Sequence, residues 1–124
     1  MVDPGTLMGE IHAAAVAIDN ASRAQGQAIR HLAEAERAYE RSFQSALLAI
    51  RDEALADGQR LPAEDLRRAM AHKRVPEDIY AVFLRARAEV DGLKAWLRAQ
   101  EATLSARQSL LNALRAELNV PTGR

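Results

Sequence analysis

The chain has 124 residues, of which 26 are alanine, against two Phe, two Tyr and one Trp. So little aromatic volume excludes a thick globular core, and the length fits one domain spanning 1–124 rather than a multidomain enzyme. Seventeen basic residues cancel seventeen acidic ones, so no global field draws the chain to nucleic acid or membrane and any electrostatic function must be local. Without cysteine there is no disulfide framework and no thiolate metal site, which fits a reducing compartment. The apolar run from Ala13 to Ile18 is short and follows Asp3 and Glu10. It reads as neither a signal peptide nor a membrane span, and a cytoplasmic location is expected.

Proline and glycine set the element boundaries. Pro4 and Gly5 open the chain, Thr6 is the expected N-cap, and from Leu7 to Asp57 there is no proline and only two glycines, Gly9 near the start and Gly26 in the interior. This predicts a long helix over about 6–57, stopped by Gly58. Pro62, at a first helical position, predicts a short helix over about 62–72, with Glu64 and Asp65 early and Arg67, Arg68 and Lys73 late, as the helix dipole favours. Pro76 starts a third segment with Glu77 and Asp78 in its first turn. It runs to about 118, with Asn119 as the expected cap before Pro121.

In the last helix Phe83, Val90, Leu97, Leu104, Leu111 and Leu118 recur every seven residues, with Ile79, Ala86, Leu93 and Leu114 at companion positions. The first helix carries Ile11, Ile18, Leu32 and Tyr39 beside Ala14, Ala21, Ala28 and Ala35. Its pattern then shifts phase to Phe43, Leu47, Ile50 and Ala54. Two such helices predict an all-α fold, a long antiparallel, coiled-coil-like hairpin with the short helix at its tip. In that register Tyr39 and Phe43 lie opposite Leu93 and Trp96, which predicts a buried Trp96 in one aromatic layer. Leu84, Trp96 and Leu110 widen the last seam beyond what one partner helix covers, and Leu7, Met8 and Ile11 extend past the reach of Leu118. These six residues are the expected contacts of a homo-oligomer.

No constellation for catalysis is present. His12, His31 and His72 have no partner at metal-ligand spacing, and Gly5 and Gly9 form no phosphate-cradling loop, so no enzyme activity, metal or cofactor is expected. The informative pattern is basic. Arg23, Arg30, Arg37 and Arg41 stand seven, seven and four residues apart, on one stripe opposite the apolar seam, and Arg87, Lys94 and Arg98 form a shorter stripe on the last helix. From Gly58 to Val75 five basic residues (Arg60, Arg67, Arg68, Lys73, Arg74) face two acidic ones, a net of +3. One reading is a solvated face salt-bridged by Glu34, Glu36 and Glu40. The other is a phosphate-binding surface carried by Arg37, Arg41, Arg67, Arg68, Lys73 and Arg74, because arginine, at fifteen of seventeen basic residues, favours bidentate phosphate contacts. Leu61, Leu66, Met70 and Val75 give the short helix an apolar side that folds back onto the hairpin or meets a protein partner.

The stretches Glu34-Ala-Glu-Arg-Ala-Tyr39, Ala54 to Gly58, Ala63-Glu-Asp-Leu-Arg-Arg-Ala-Met-Ala71, Asp91-Gly-Leu-Lys-Ala-Trp-Leu97 and Ala106-Arg-Gln-Ser-Leu-Leu-Asn-Ala-Leu-Arg115 occur in that order. The pattern resembles small all-helical proteins of bacteriophages that infect actinobacteria and, more distantly, the UvsY-like recombination mediators. That resemblance implies an oligomer that binds single-stranded DNA and helps load a recombinase onto strands coated by single-strand-binding protein, in the bacterial host cytoplasm. The chain departs from the pattern in having two lysines, no net charge and no aromatic residue in its basic segment, although single-strand binders usually pair a basic groove with stacking rings. The alternative function is a protein-binding helical adaptor or assembly factor without nucleic-acid binding, in which Leu66 and Met70 carry the contact.

Overall fold

The computed structural model describes residues 3–119 and places in them three α-helices and no strand: α1 (Pro4–Ala56), α2 (Glu64–Arg74) and α3 (Glu77–Asn119). The stop expected at Pro121 lies outside the described residues. No helix among the described residues is long and apolar enough to cross a membrane.

The helix ends follow from local chemistry, with two corrections. Asp3, not Thr6, caps α1: its Oδ2 accepts from the Thr6 backbone N–H and from Thr6 Oγ1, each at 3.1 Å. Pro4 takes the first helical position, where its missing N–H costs nothing, so Thr6 falls inside the first turn. Gly58, at φ +64°, ends α1 in the left-handed region. Gln59 N–H donates to Ala54 O at 2.9 Å and Gly58 N–H to Leu55 O at 3.3 Å, the paired bonds of a Schellman stop. The second correction concerns α2, which begins at Glu64 with Ala63 as its cap residue, so Pro62 precedes the helix. Val75 is extended (φ −65°, ψ 128°), as a residue before proline must be, and Pro76 O accepts the first α3 bond from Tyr80 N–H at 3.2 Å.

The chain packs as two units, Ala28–Val90 and the remainder, Met1–Gln27 with Asp91–Arg124. In the latter, Leu7, Leu97 and Leu111 are buried and Ile11, Ala14, Ile18, Leu93, Leu104 and Leu114 half-buried. Arg115 Nη2 donates to Met8 Sδ at 3.7 Å and Arg107 Nε lies 3.9 Å from Glu10 Oε2. The first turns of α1 are therefore covered by α3. Leu7, expected to await another subunit, is 2% exposed within its own chain, while Met8 remains 49% exposed.

In the unit Ala28–Val90, the seam of α1 steps through Ala28, Leu32, Ala35, Tyr39, Phe43, Ala46, Ile50 and Ala54, all buried or half-buried. The two consecutive steps of four around Tyr39 produce the phase shift. Ala46, Ile50 and Ala71 form a small core with Phe43, Leu47 and Met70 packed against it. Ala71, fully buried, is the small residue that lets α2 approach α1. Of the apolar side of α2, Val75 is buried and Met70 half-buried, whereas Leu61 and Leu66 stay exposed.

A bidentate pair fastens α2 to α1: Arg74 Nη1 and Nη2 donate to Glu53 Oε1 and Oε2, each at 2.7 Å. Hydrogen bonds from Arg74 hold the Glu53 carboxyl below its ordinary value of 4.5. A depressed folded value means that the pair contributes stability above the ordinary value and loses it as pH falls through the folded one. Acidification from about pH 5 to about pH 3 should therefore lower the melting temperature of the wild type more than that of Glu53→Gln. Parallel thermal melts of the two across that window check this, and equal acid sensitivity would remove the pair from the account.

Candidate nucleic-acid interface

The α1 segment of the unit Ala28–Val90 has a second face, away from its seam. Arg30, Glu34, Arg37, Arg41, Gln44, Leu48, Arg51 and Leu55 follow steps of three and four, the spacing of one helical face, and every one is exposed. Arg30, Arg37 and Arg41 were legible as a stripe. Arg51 was missed, although it stands seven residues beyond Gln44 and fourteen beyond Arg37 on the same register. Leu48, between Arg41 and Arg51, is 51% exposed. Beside this face, Gln44, Leu47, Leu48 and Arg51 of α1 and Glu64, Arg67 and Arg68 of α2 line a groove of about 340 Å³, with three arginines against one glutamate.

The ion pairs expected with Glu34, Glu36 and Glu40 do not form. Arg30, Arg37, Arg41, Arg67 and Arg68 belong to none of the salt bridges among the described residues. Arg37 Nε instead donates to Ala33 O at 3.3 Å. Sequence order explains part of this, since Arg30 precedes Glu34 and the favourable helical pair has the acid first. The i,i+4 pair that does form, Asp19 with Arg23 at 3.0 Å, has that order. Of the remaining residues expected to bind phosphate, Lys73 is exposed and Arg74 is committed to Glu53. Arg51 lies 3.7 Å from its neighbour Asp52.

The scarce aromatics gather here, but not as the heptad register implies. Tyr39 is ringed by Phe43, His72, Tyr80 and Phe83 at centroid distances of 6.0, 5.9, 5.8 and 5.4 Å. His72 stands edge-on to Tyr80 at 4.7 Å. Trp96, expected in this layer, is 40% exposed. It precedes the seam residue Leu97 by one position, which turns it about 100° away from the seam. His72, without a ligand-spaced partner in the sequence, joins the cluster through a 2.6 Å hydrogen bond between its Nδ1 and the Tyr39 hydroxyl. Burial, with a smaller contribution from Tyr80, pushes the Tyr39 phenol up against an opposing effect of Arg68.

Arg68 joins the two features. Its Cζ lies 5.2 Å from the centre of the Phe43 ring, a cation–π distance. The basic segment has no Phe, Tyr or Trp of its own, but folding supplies such rings from α1 and α3. Glu36, Tyr39, Glu40, Phe43, Arg68, His72 and Phe83 lie along an open groove of about 710 Å³, whose lining also includes Gln44 of the arginine groove. No family model matches the chain, nor does any curated protein or solved structure match it.

Proposed function

We propose that this chain is a non-enzymatic, homo-oligomeric accessory of DNA recombination. In this reading it binds single-stranded DNA and assists the loading of a recombinase, as its resemblance to UvsY-like mediators implies, in the cytoplasm of a phage-infected host. The observation that carries the reading is the run of exposed arginines without carboxylate partners, Arg30, Arg37 and Arg41 on α1, continued by the groove that Arg67 and Arg68 of α2 share with Arg51. On a rise of about 1.5 Å per residue Arg30, Arg37 and Arg41 are spaced by roughly 10 and 6 Å, so a strand laid along the helix meets charge repeatedly. An antiparallel hairpin is supported by the pairing of Met8 with Arg115 and of Glu10 with Arg107. Assembly is supported by Leu84, Trp96 and Leu110, each at least 40% exposed, because apolar area left in water favours association.

Titration of a labelled single-stranded oligonucleotide at several salt concentrations, with sedimentation in parallel, tests this. Binding whose logarithm falls linearly with the logarithm of salt, by an oligomer, is the expected result. Absence of binding at low salt, or a monomer at tens of micromolar, an order typical of weak association, would overturn it. The adaptor reading has its own observation: Leu48, Leu55 and Leu66 are 51, 71 and 58% exposed. A folded protein that ignores DNA yet binds one protein partner through those leucines would establish it.

A further inference from the structure

We infer that the aromatic groove of the unit Ala28–Val90 takes a nucleobase of the bound strand, stacked on the Phe43 ring in the place now held by the Arg68 guanidinium. The inference rests on the single-strand reading above and assigns a different part of the nucleotide to a different surface. The arginine face holds phosphate; the groove cannot. Glu36 and Glu40 sit on its lining, and their carboxylates repel a phosphate. They accept hydrogen bonds from the exocyclic amino group of a base, as carboxylates do from the cytosine amino group. Tyr39, Phe43 and Phe83 are half-buried and line the groove, and bases stack on aromatic side chains so placed.

Position supports the assignment independently. Gln44 lines both the aromatic and the arginine grooves, as does Arg68, so a base turned off a strand that contacts Arg67 enters beside Phe43 directly. Arg68 marks the face as one that attracts a flat or cationic group. A ligand cation is disfavoured there because Arg68 already supplies the positive charge. An incoming neutral base releases Arg68 from the ring, and the freed guanidinium then neutralises the adjoining phosphate. Tyr39 is held by its bond to His72 and forms a fixed wall, so the ring that exchanges partners is Phe43.

The experiment compares the wild type with Phe43→Leu on two probes of equal length, oligodeoxycytidylate and a wholly abasic strand. The wild type should bind the cytidylate about tenfold or more tightly than the abasic strand, on the usual strength of base–aromatic stacking. Phe43→Leu should close that gap and leave the salt slope unchanged. Equal wild-type affinity for both probes would overturn the base pocket while leaving phosphate binding in place. Failure to bind either probe would overturn both. Should Phe43→Leu not fold, photo-crosslinking of an iodouracil-substituted strand to the wild type decides the matter: labelled tryptic peptides containing Tyr39 or Phe43 support the pocket, and label confined to the peptide with exposed Trp96 refutes it.

Discussion

Replacing Arg37, Arg41 and Arg67 together by glutamate should flatten the salt dependence of single-strand binding by about two units of slope and weaken binding at low salt by roughly three hundredfold. The slope follows from counterion release, about 0.7 for each phosphate contact on a single strand, so three lost contacts remove about 2. The affinity loss follows from that slope. With the salt-independent part unchanged, a difference of about 2 in slope amounts to roughly two and a half orders of magnitude at about 50 mM salt. All three positions are away from the α1 seam; Arg37 and Arg41 are exposed and Arg67 half-buried. None belongs to an ion pair among the described residues, so helix content should survive. The matching control is Arg85→Glu, Arg87→Glu and Arg98→Glu, three exposed positions of α3 that change the net charge equally. Equal losses in the two variants would mean that total charge, not this face, governs binding. Arg74→Glu should instead act on stability, because it places two carboxylates against each other where Glu53 now holds the guanidinium.

What the sequence made legible was periodic and local. The phase shift near Tyr39, the stop at Gly58 and the acidic first turns of α2 and α3 depend on residues a few positions apart, and each occurs. Thr6 and Asp3 are both capping residue types, but Asp3 stands directly before Pro4, and proline is favoured directly after a cap, so the cap falls at Asp3. The aromatic cluster was misplaced for a different reason. A heptad pattern tells which face of a helix is covered, but the grouping of Tyr39 with His72, Tyr80 and Phe83 depends on where α2 returns against α1. That return packs on the buried Ala71, which carries no distinctive signal in an alanine-rich chain. The candidate site inherits this division: the arginine stripe could be counted from spacing, whereas the ring beneath Arg68 could not. Its apparent lack of aromatic partners was a consequence of reading α2 alone.

The largest loss of stability should come from Tyr39→Ala, about 3 kcal/mol or more by the usual cost of truncating an aromatic side chain in a packed site. Tyr39 touches rings from all three helices, so its removal takes away the contacts through which the three helices meet. Tyr39→Phe separates the ring from its hydroxyl. It keeps the packing and removes the bond to His72, and should cost about 1 kcal/mol, typical of one hydrogen bond. Trp96→Ala is the informative comparison, because the periodic pattern alone assigns Trp96 to the same layer. At 40% exposure its truncation should cost well under the Tyr39→Ala value in dilute protein. If Trp96 lies in a contact between subunits, its cost should grow with protein concentration, since association stabilises the folded state by mass action. Denaturant unfolding of the three variants at two protein concentrations gives all of these quantities. A concentration-independent loss of about 3 kcal/mol for Trp96→Ala, equal to that of Tyr39→Ala, would return Trp96 to the core and refute the placement of the aromatic cluster.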